Sequence, residues 1–285
     1  MADRLFKECV ISVEQLQQHL SHPDLVILHT DMQPIGFEVA QQPQGSIPTA
    51  VNVDVDKDIS DTTRALPHSL PTEEHFSQMM QQCGVSQNSQ VVIYDDYGVY
   101  SAPRLWWLLT VMGHKQVSVL NGGLPAWQAA HYSTQTFFSQ PESQGDFVAT
   151  LDKSGVITAN VLLQSIQNEQ VQVVDARSED RFYGRVPEPR VGLRQGHIPK
   201  AVSLPFQRCL KENNPVNGML LDKDSLLNLF ASKQLSKDNN LAFSCGSGVT
   251  ACIPLLAATW CGFNNLKLYD GSWSEWGADN GLPIE

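Results

Sequence analysis

One segment of this chain occurs twice. Gly45-Ser46-Ile47-Pro48-Thr49-Ala50-Val51 returns as Gly196-His197-Ile198-Pro199-Lys200-Ala201-Val202, an offset of 151 residues. Gln90-Val91-Val92-Ile93-Tyr94-Asp95 aligns with Asn240-Leu241-Ala242-Phe243-Ser244-Cys245 at an offset of 150. Val119 to Trp127 aligns with Leu268 to Trp276 at an offset of 149. Three ordered matches at a nearly constant offset mean two copies of one unit, and a repeat of this kind constrains the fold before any local propensity is consulted. The 285 residues suffice for two domains of ordinary size. Trp127 and Trp276 fall at matching places, which marks them as core residues rather than a stacking platform.

Within each copy, short apolar runs alternate with helical patterns. That alternation specifies an α/β fold: two tandem domains, each a mainly parallel sheet flanked by helices. In the second copy the expected strands are 171–174, 201–204, 241–244 and 266–269, with helices over 224–234 and 250–261. The polar stretch beginning at Ser139 carries Pro141 and Gly145 and reads as a connection. The domains are therefore drawn as 1–138 and 155–285, with a linker over 139–154.

Nineteen Lys and Arg against thirty Asp and Glu leave a net charge of −11. A nucleic-acid binder needs a basic face, and this balance supplies none. Small anions would be repelled too, unless a local group of basic residues received them. The longest nearly apolar stretch, Ala251 to Phe263, is too short to span a bilayer, and the opening MADRLFKECV has no signal-like apolar run. The expectation is a cytoplasmic protein with no membrane partner. Its six cysteines show no C-x-x-C pair or zinc spacing, and no Gly-rich phosphate motif appears, so neither metal nor cofactor is expected.

Chemistry concentrates at Cys245-Gly246-Ser247-Gly248-Val249-Thr250, which follows a strand and leads into an apolar helix. The carboxyl end of a strand in an open α/β sheet is where ligands bind. Gly246 and Gly248 allow successive N–H groups to turn inward as an anion nest, which would favour a thiolate. The alternative is a buried structural cysteine in a tight turn. The first copy has Asp95 at this place and no thiol, so two copies share one candidate nucleophile.

These segments, together with Tyr100 to Trp107 and Tyr269-Asp270-Gly271-Ser272-Trp273, resemble the two-domain rhodanese family of sulfurtransferases over nearly the full chain. The resemblance implies an inactive first domain and a second domain whose Cys245 carries a persulfide. The loop is similar to that of the 3-mercaptopyruvate-using subgroup, in which Gly246, Gly248, Val249 and Thr250 would cradle the substrate. Thiosulfate-using relatives carry basic residues in the loop; here none stands between Cys245 and Thr250, which suits a monoanionic donor.

Five of the nine arginines lie between 177 and 194. The resemblance assigns substrate binding to Arg181 and Arg190, whose planar forks suit a carboxylate. Arg177, Arg185 and Arg194 are expected in ion pairs with Asp175, Glu179, Asp180 or Glu188 on a solvated surface. It also implies that Ser247 works with His68 and a first-domain aspartate, Asp56, with Asp54 and Asp58 as rivals. The implied partners are a small anionic sulfur donor and an acceptor such as cyanide, a small thiol or thioredoxin. The same residues leave two alternatives: thiosulfate as the main substrate, and a sulfur-carrier or regulatory module without turnover. A Cys-based phosphatase is disfavoured because its Cys-x5-Arg arginine falls at Ala251.

Overall fold

The computed structural model describes residues 4–34, 44–211 and 218–285. The chain divides into two compact units, one of residues 1–61, 70–151 and 214–220, the other of 62–69, 152–213 and 221–285.

The first unit holds five parallel strands in the order β1-β5-β4-β2-β3: β1 Val10–Ile11, β2 Leu25–Asp31, β3 Val51–Asp54, β4 Gln90–Asp95 and β5 Val117–Leu120. Its helices are α1 Val13–His19, α2 Glu73–Gln82, α3 Ala102–Val111 and α4 Gly123–Ala129. Ser12 and Gln15 cap α1 reciprocally, and Thr72 caps α2. α3 is buried nearly all round, as its mainly apolar sequence requires, and it takes Arg104 into the interior with it. Leu16, Ile27, Ile47, Tyr94, Leu124 and Trp127 share one core.

The second unit repeats the plan with four parallel strands in the order β7-β6-β8-β9: β6 Gln172–Asp175, β7 Val202–Ser203, β8 Leu241–Ser244 and β9 Leu266–Leu268. A parallel bridge from Val156 to Leu268 stands where β1 pairs with β5 in the first unit. The helices are α5 Ala159–Gln167, α6 Glu179–Phe182, α7 Lys223–Ser232, α8 Cys252–Trp260 and α9 Ser272–Trp276. Trp273, Trp276, Tyr269, Leu162 and Ile198 form the core, so these tryptophans pack as expected.

The α/β reading of two parallel-sheet copies is the architecture found, with strand ends within a residue or two of those read from sequence. Two helices differ in position. α7 starts early because Asp222 accepts the Ser225 N–H at 2.9 Å, and α8 starts at Cys252 because Thr250 and Ala251 complete the preceding turn. The repeat is also conformational: Gly45 and Gly196 take φ of +92° and +112°, and Thr49 and Lys200 take +67° and +60°. Among the described residues no helix is long and apolar enough to cross a membrane.

Candidate active site

The loop after β4 in the first unit closes on its own side chain. Asp95 is fully buried, and its Oδ1 accepts the N–H of Tyr97 at 2.9 Å. Its Oδ2 accepts the N–H groups of Tyr100, Ser101 and Ala102 at 2.7, 3.0 and 3.0 Å. Gly98, at φ +99°, supplies the left-handed step that turns these amides inward. This loop therefore turns four amides onto the carboxylate oxygens at the carboxyl end of the central strand, although burial outweighs them and pushes the Asp95 pKa up.

The corresponding loop after β8 follows the same path. Gly248 takes φ +80° at the place of Gly98, α8 begins at Cys252 where α3 begins at Ala102, and Cys245 stands where Asp95 does. Cys245 is 2% exposed. Its N–H donates to Ser272 Oγ at 3.2 Å, and its carbonyl accepts from the Trp273 N–H at 3.0 Å. Val249 is buried and Thr250 half-buried; Cys252 is a buried thiol donating to the Gly248 carbonyl at 3.3 Å.

Ser247 Oγ lies 2.8 Å from His68 Nδ1, both residues being 7% exposed. His68 belongs to the 62–69 segment, which is part of the second unit, and it holds a φ of +54°. A buried histidine in left-handed backbone is an uphill arrangement that surrounding structure must maintain. Asp56 is exposed in a turn of the first unit and donates its N–H to Asp54 Oδ1 at 3.0 Å. Of its rivals, Asp54 also binds Lys57 Nζ at 2.6 Å, and Asp58 Oδ2 accepts the Asp54 N–H at 2.8 Å. Those two carboxylates hold their own loop.

Arg181 and Arg190 meet at Gly246. A Cβ placed on Gly246 would lie 3.1 Å from Arg181 Nη2 and 3.6 Å from Arg190 Nη1. A side chain here would push the guanidinium groups away, so the glycine admits them next to the nucleophile. In the first unit the equivalent residue is Asp96, of opposite charge.

Arg181 is aimed by Glu188, whose side chain is 1% exposed. Glu188 Oε2 accepts from Arg181 Nη2 at 2.5 Å, and Oε1 accepts from Arg181 Nε at 3.3 Å and from Arg177 Nη1 at 2.8 Å. Arg177 in turn donates to Asp175 Oδ2 at 2.7 Å and to the Gly196 carbonyl at 2.9 Å, and lies 4.1 Å over the Trp273 ring. Burial pushes the Arg177 pKa down, but the facing Asp175 and Glu188 carboxylates outweigh it and the net direction is up.

The arginine expectations need two corrections. Arg177 pairs with Asp175 and Glu188, but in the interior rather than on a solvated surface, because one guanidinium must bridge two carboxylates there. Arg194 makes no ion pair among the described contacts; it donates to the carbonyls of Trp276, Gly277 and Leu282 at 2.8, 3.1 and 3.0 Å and to that of Asp279, closing the end of α9. Arg185 does pair at the surface, with Asp180 at 3.4 Å. Glu188 is the ion-pair partner expected for Arg177, and it also orients Arg181, which the spacing does not announce; its setting between Pro187 and Pro189 restricts the backbone that carries it. Among the described residues no group of three or more His, Cys, Asp or Glu could hold a metal ion.

Two parallel-sheet units, with matching strand–loop–helix turns that carry Asp95 in one and Cys245 in the other, define a rhodanese-type protein, and comparison with known sequences agrees. The rhodanese-like domain profile matches residues 12–130 and 158–279, and the chain belongs to that family. It is 39% identical to the 3-mercaptopyruvate sulfurtransferase of Escherichia coli strain K12, over 96% of this chain and 97% of that protein. It is also 39% identical to the thiosulfate sulfurtransferase of Rattus norvegicus, over 81% of this chain and 76% of that one. The crystal structure of SseA from Escherichia coli superposes with a TM-score of 0.82 at 34% identity, covering 94% of this chain and 99% of that chain.

Proposed function

We propose that this enzyme moves sulfur from 3-mercaptopyruvate to an acceptor through a persulfide on Cys245. The observation that carries the reading is the meeting of Arg181 and Arg190 at Gly246, one residue from the thiol. The Cys245 thiolate attacks the sulfur of the donor; the sulfur–sulfur bond forms, the carbon–sulfur bond breaks, and its electron pair leaves on the enolate of pyruvate. The two guanidinium groups hold the carboxylate and stabilise charge gathering on the carbonyl oxygen. The proton of the transferred S–H passes through Ser247 and His68 to the enolate carbon, leaving a persulfide anion and pyruvate. Asp56 stands in this proposal as the supporting carboxylate that the family resemblance implies. Gly246, Gly248, Val249 and Thr250 supply the receptor, and the grip of the first unit's loop on Asp95 supports an anion at this place.

The outer sulfur then passes to cyanide, giving thiocyanate, or to a thiol, giving a new persulfide. Thioredoxin or a small thiol fits the second case, and a cytoplasmic setting would keep such thiols reduced. The domain limits 1–138 and 155–285 go with this reading, as a silent and a catalytic half. Pyruvate release from 3-mercaptopyruvate, with a mass gain of about one sulfur that cyanide removes, is the expected result for the native enzyme. Cys245→Ser should abolish both, and pyruvate release surviving that change would refute the scheme. Thiosulfate is the second donor to assay, because a relative that uses that name is equally similar over most of the chain.

A further inference from the structure

We propose that Ser274 is a positioning residue for the nucleophile: it holds the Gly246–Ser247 peptide so that the Ser247 N–H faces the Cys245 sulfur. This rests on the reading of Cys245 as the sulfur carrier. The Gly246 carbonyl accepts two hydrogen bonds from one residue, from the Ser274 N–H at 2.9 Å and from Ser274 Oγ at 2.6 Å. The described chain has no cis peptide, so the N–H of Ser247 points opposite to that carbonyl.

The repeat shows what this contact replaces. The counterpart of Ser274 in the first unit is Pro125, which has neither N–H nor hydroxyl. There the equivalent peptide, between Asp96 and Tyr97, is held from its other end, by the Tyr97 N–H on Asp95 Oδ1 at 2.9 Å. When the aspartate gives way to a cysteine that tether is lost. The freed peptide would adjoin Gly246, which has no Cβ to oppose a flip, and a flip would aim a carbonyl oxygen at the anionic sulfur. Ser274 supplies the missing restraint from behind, leaving the front of the loop to sulfur.

A second substitution between the copies acts on the same spot. Gly123 of the first unit, at φ +51°, corresponds to Ser272, at φ +49°. A serine in left-handed backbone is strained where glycine is not. The strain comes with a function for the side chain, since Ser272 Oγ accepts the Cys245 N–H at 3.2 Å and donates to the Tyr269 carbonyl at 2.9 Å. Ser272 and Ser274, which stand where the first copy has Gly123 and Pro125, thus bind Cys245 and Gly246.

The test uses the full chain, with pyruvate release from 3-mercaptopyruvate, iodoacetamide alkylation of Cys245 across pH, and thermal midpoint measured for each variant. Ser274→Ala should lower kcat by about tenfold, less than outright loss of an oxyanion donor because the backbone bond remains, with KM within about twofold. The pH at half-maximal alkylation should move upward in the same variant. Ser274→Thr and Ser274→Val differ only in the hydroxyl, so the threonine variant should exceed the valine variant by a similar factor even if both lose stability. An alkylation profile and kcat unchanged in Ser274→Ala, or equal rates for the threonine and valine variants, would overturn the proposal. If the native enzyme releases no pyruvate, the donor assignment fails while the alkylation arm still decides the role of Ser274.

Discussion

Glu188→Gln puts the charge design of the site to a quantitative test. Arg177 and Arg181 pair with the carboxylates Asp175 and Glu188, and Arg190 joins Arg181 at Gly246, so that before Cys245 ionises three positive charges stand against two negative ones. The amide keeps the size of the side chain and removes one negative charge. Contacts of 2.5 and 3.1 Å through Arg181 Nη2 link Glu188 to the Cβ position of Gly246. A charge roughly 8 Å from the ligand, at an effective dielectric near 20, is worth about 2 kcal/mol per unit of ligand charge. A dianion gains that amount relative to a monoanion, so the ratio of kcat/KM for thiosulfate to that for 3-mercaptopyruvate should rise by about tenfold, after allowance for solvent reaching Arg181. Stability should fall by about 3 kcal/mol, because the fully buried Arg177 guanidinium loses one of its two charged partners. Steady-state kinetics with both donors, at fixed ionic strength and with folding checked by a thermal scan, gives the ratio. An unchanged or lowered ratio in a folded variant refutes the charge-balance argument.

Exchanging Arg181 or Arg190 for Lys should cost 3-mercaptopyruvate turnover at least tenfold and thiosulfate turnover less, since an ammonium cannot make the paired bonds a carboxylate accepts; equal losses for the two donors count against the assignment. The first unit should show a pH-dependent stability centred on His29, whose Nδ1 lies 2.6 Å from Asn52 Oδ1 and whose Nε2 meets Asp96 Oδ1 at 3.1 Å as an ion-pair contact rather than an aligned hydrogen bond. Burial pushes this imidazole down, yet Asp96 outweighs it and the pKa stands above 6.5, so the stabilisation is full below 6.5 and lost as pH rises through the raised value. His114, held below 6.5 by burial, acts in the opposite sense and at lower pH, which leaves the alkaline side to His29. Thermal scans upward from about pH 6 should show a falling midpoint that His29→Gln flattens; a midpoint rising with pH would be contrary.

The fold was legible because the repeat and the alternation of apolar runs with helices are both local properties of the chain. Cys245 was legible for the same reason, as a thiol at a strand end beside two glycines, and Arg181 and Arg190 came from the family resemblance. What sequence could not tell is which carboxylate each arginine takes. Five arginines lie within reach of Asp175, Glu179, Asp180 and Glu188, and only packing decides that Arg177 goes inward with two of them while Arg194 finds none. The pairing of His68 with Ser247, 179 residues apart, came from the resemblance, but the left-handed backbone at His68 did not.

The buried Asp95 has a use for anyone drawing the loaded state of Cys245. A sulfur carried on the cysteine sulfur extends one atom beyond the thiol, just as a carboxylate oxygen extends one atom beyond Cγ. Laying the loop 95–102 over 245–252 therefore gives a starting position for the outer sulfur, with Asp95 Oδ2 as its stand-in. On the proposed function, the loop that has an aspartate in place of the thiol thereby holds a cast of what Cys245 would carry between donor and acceptor.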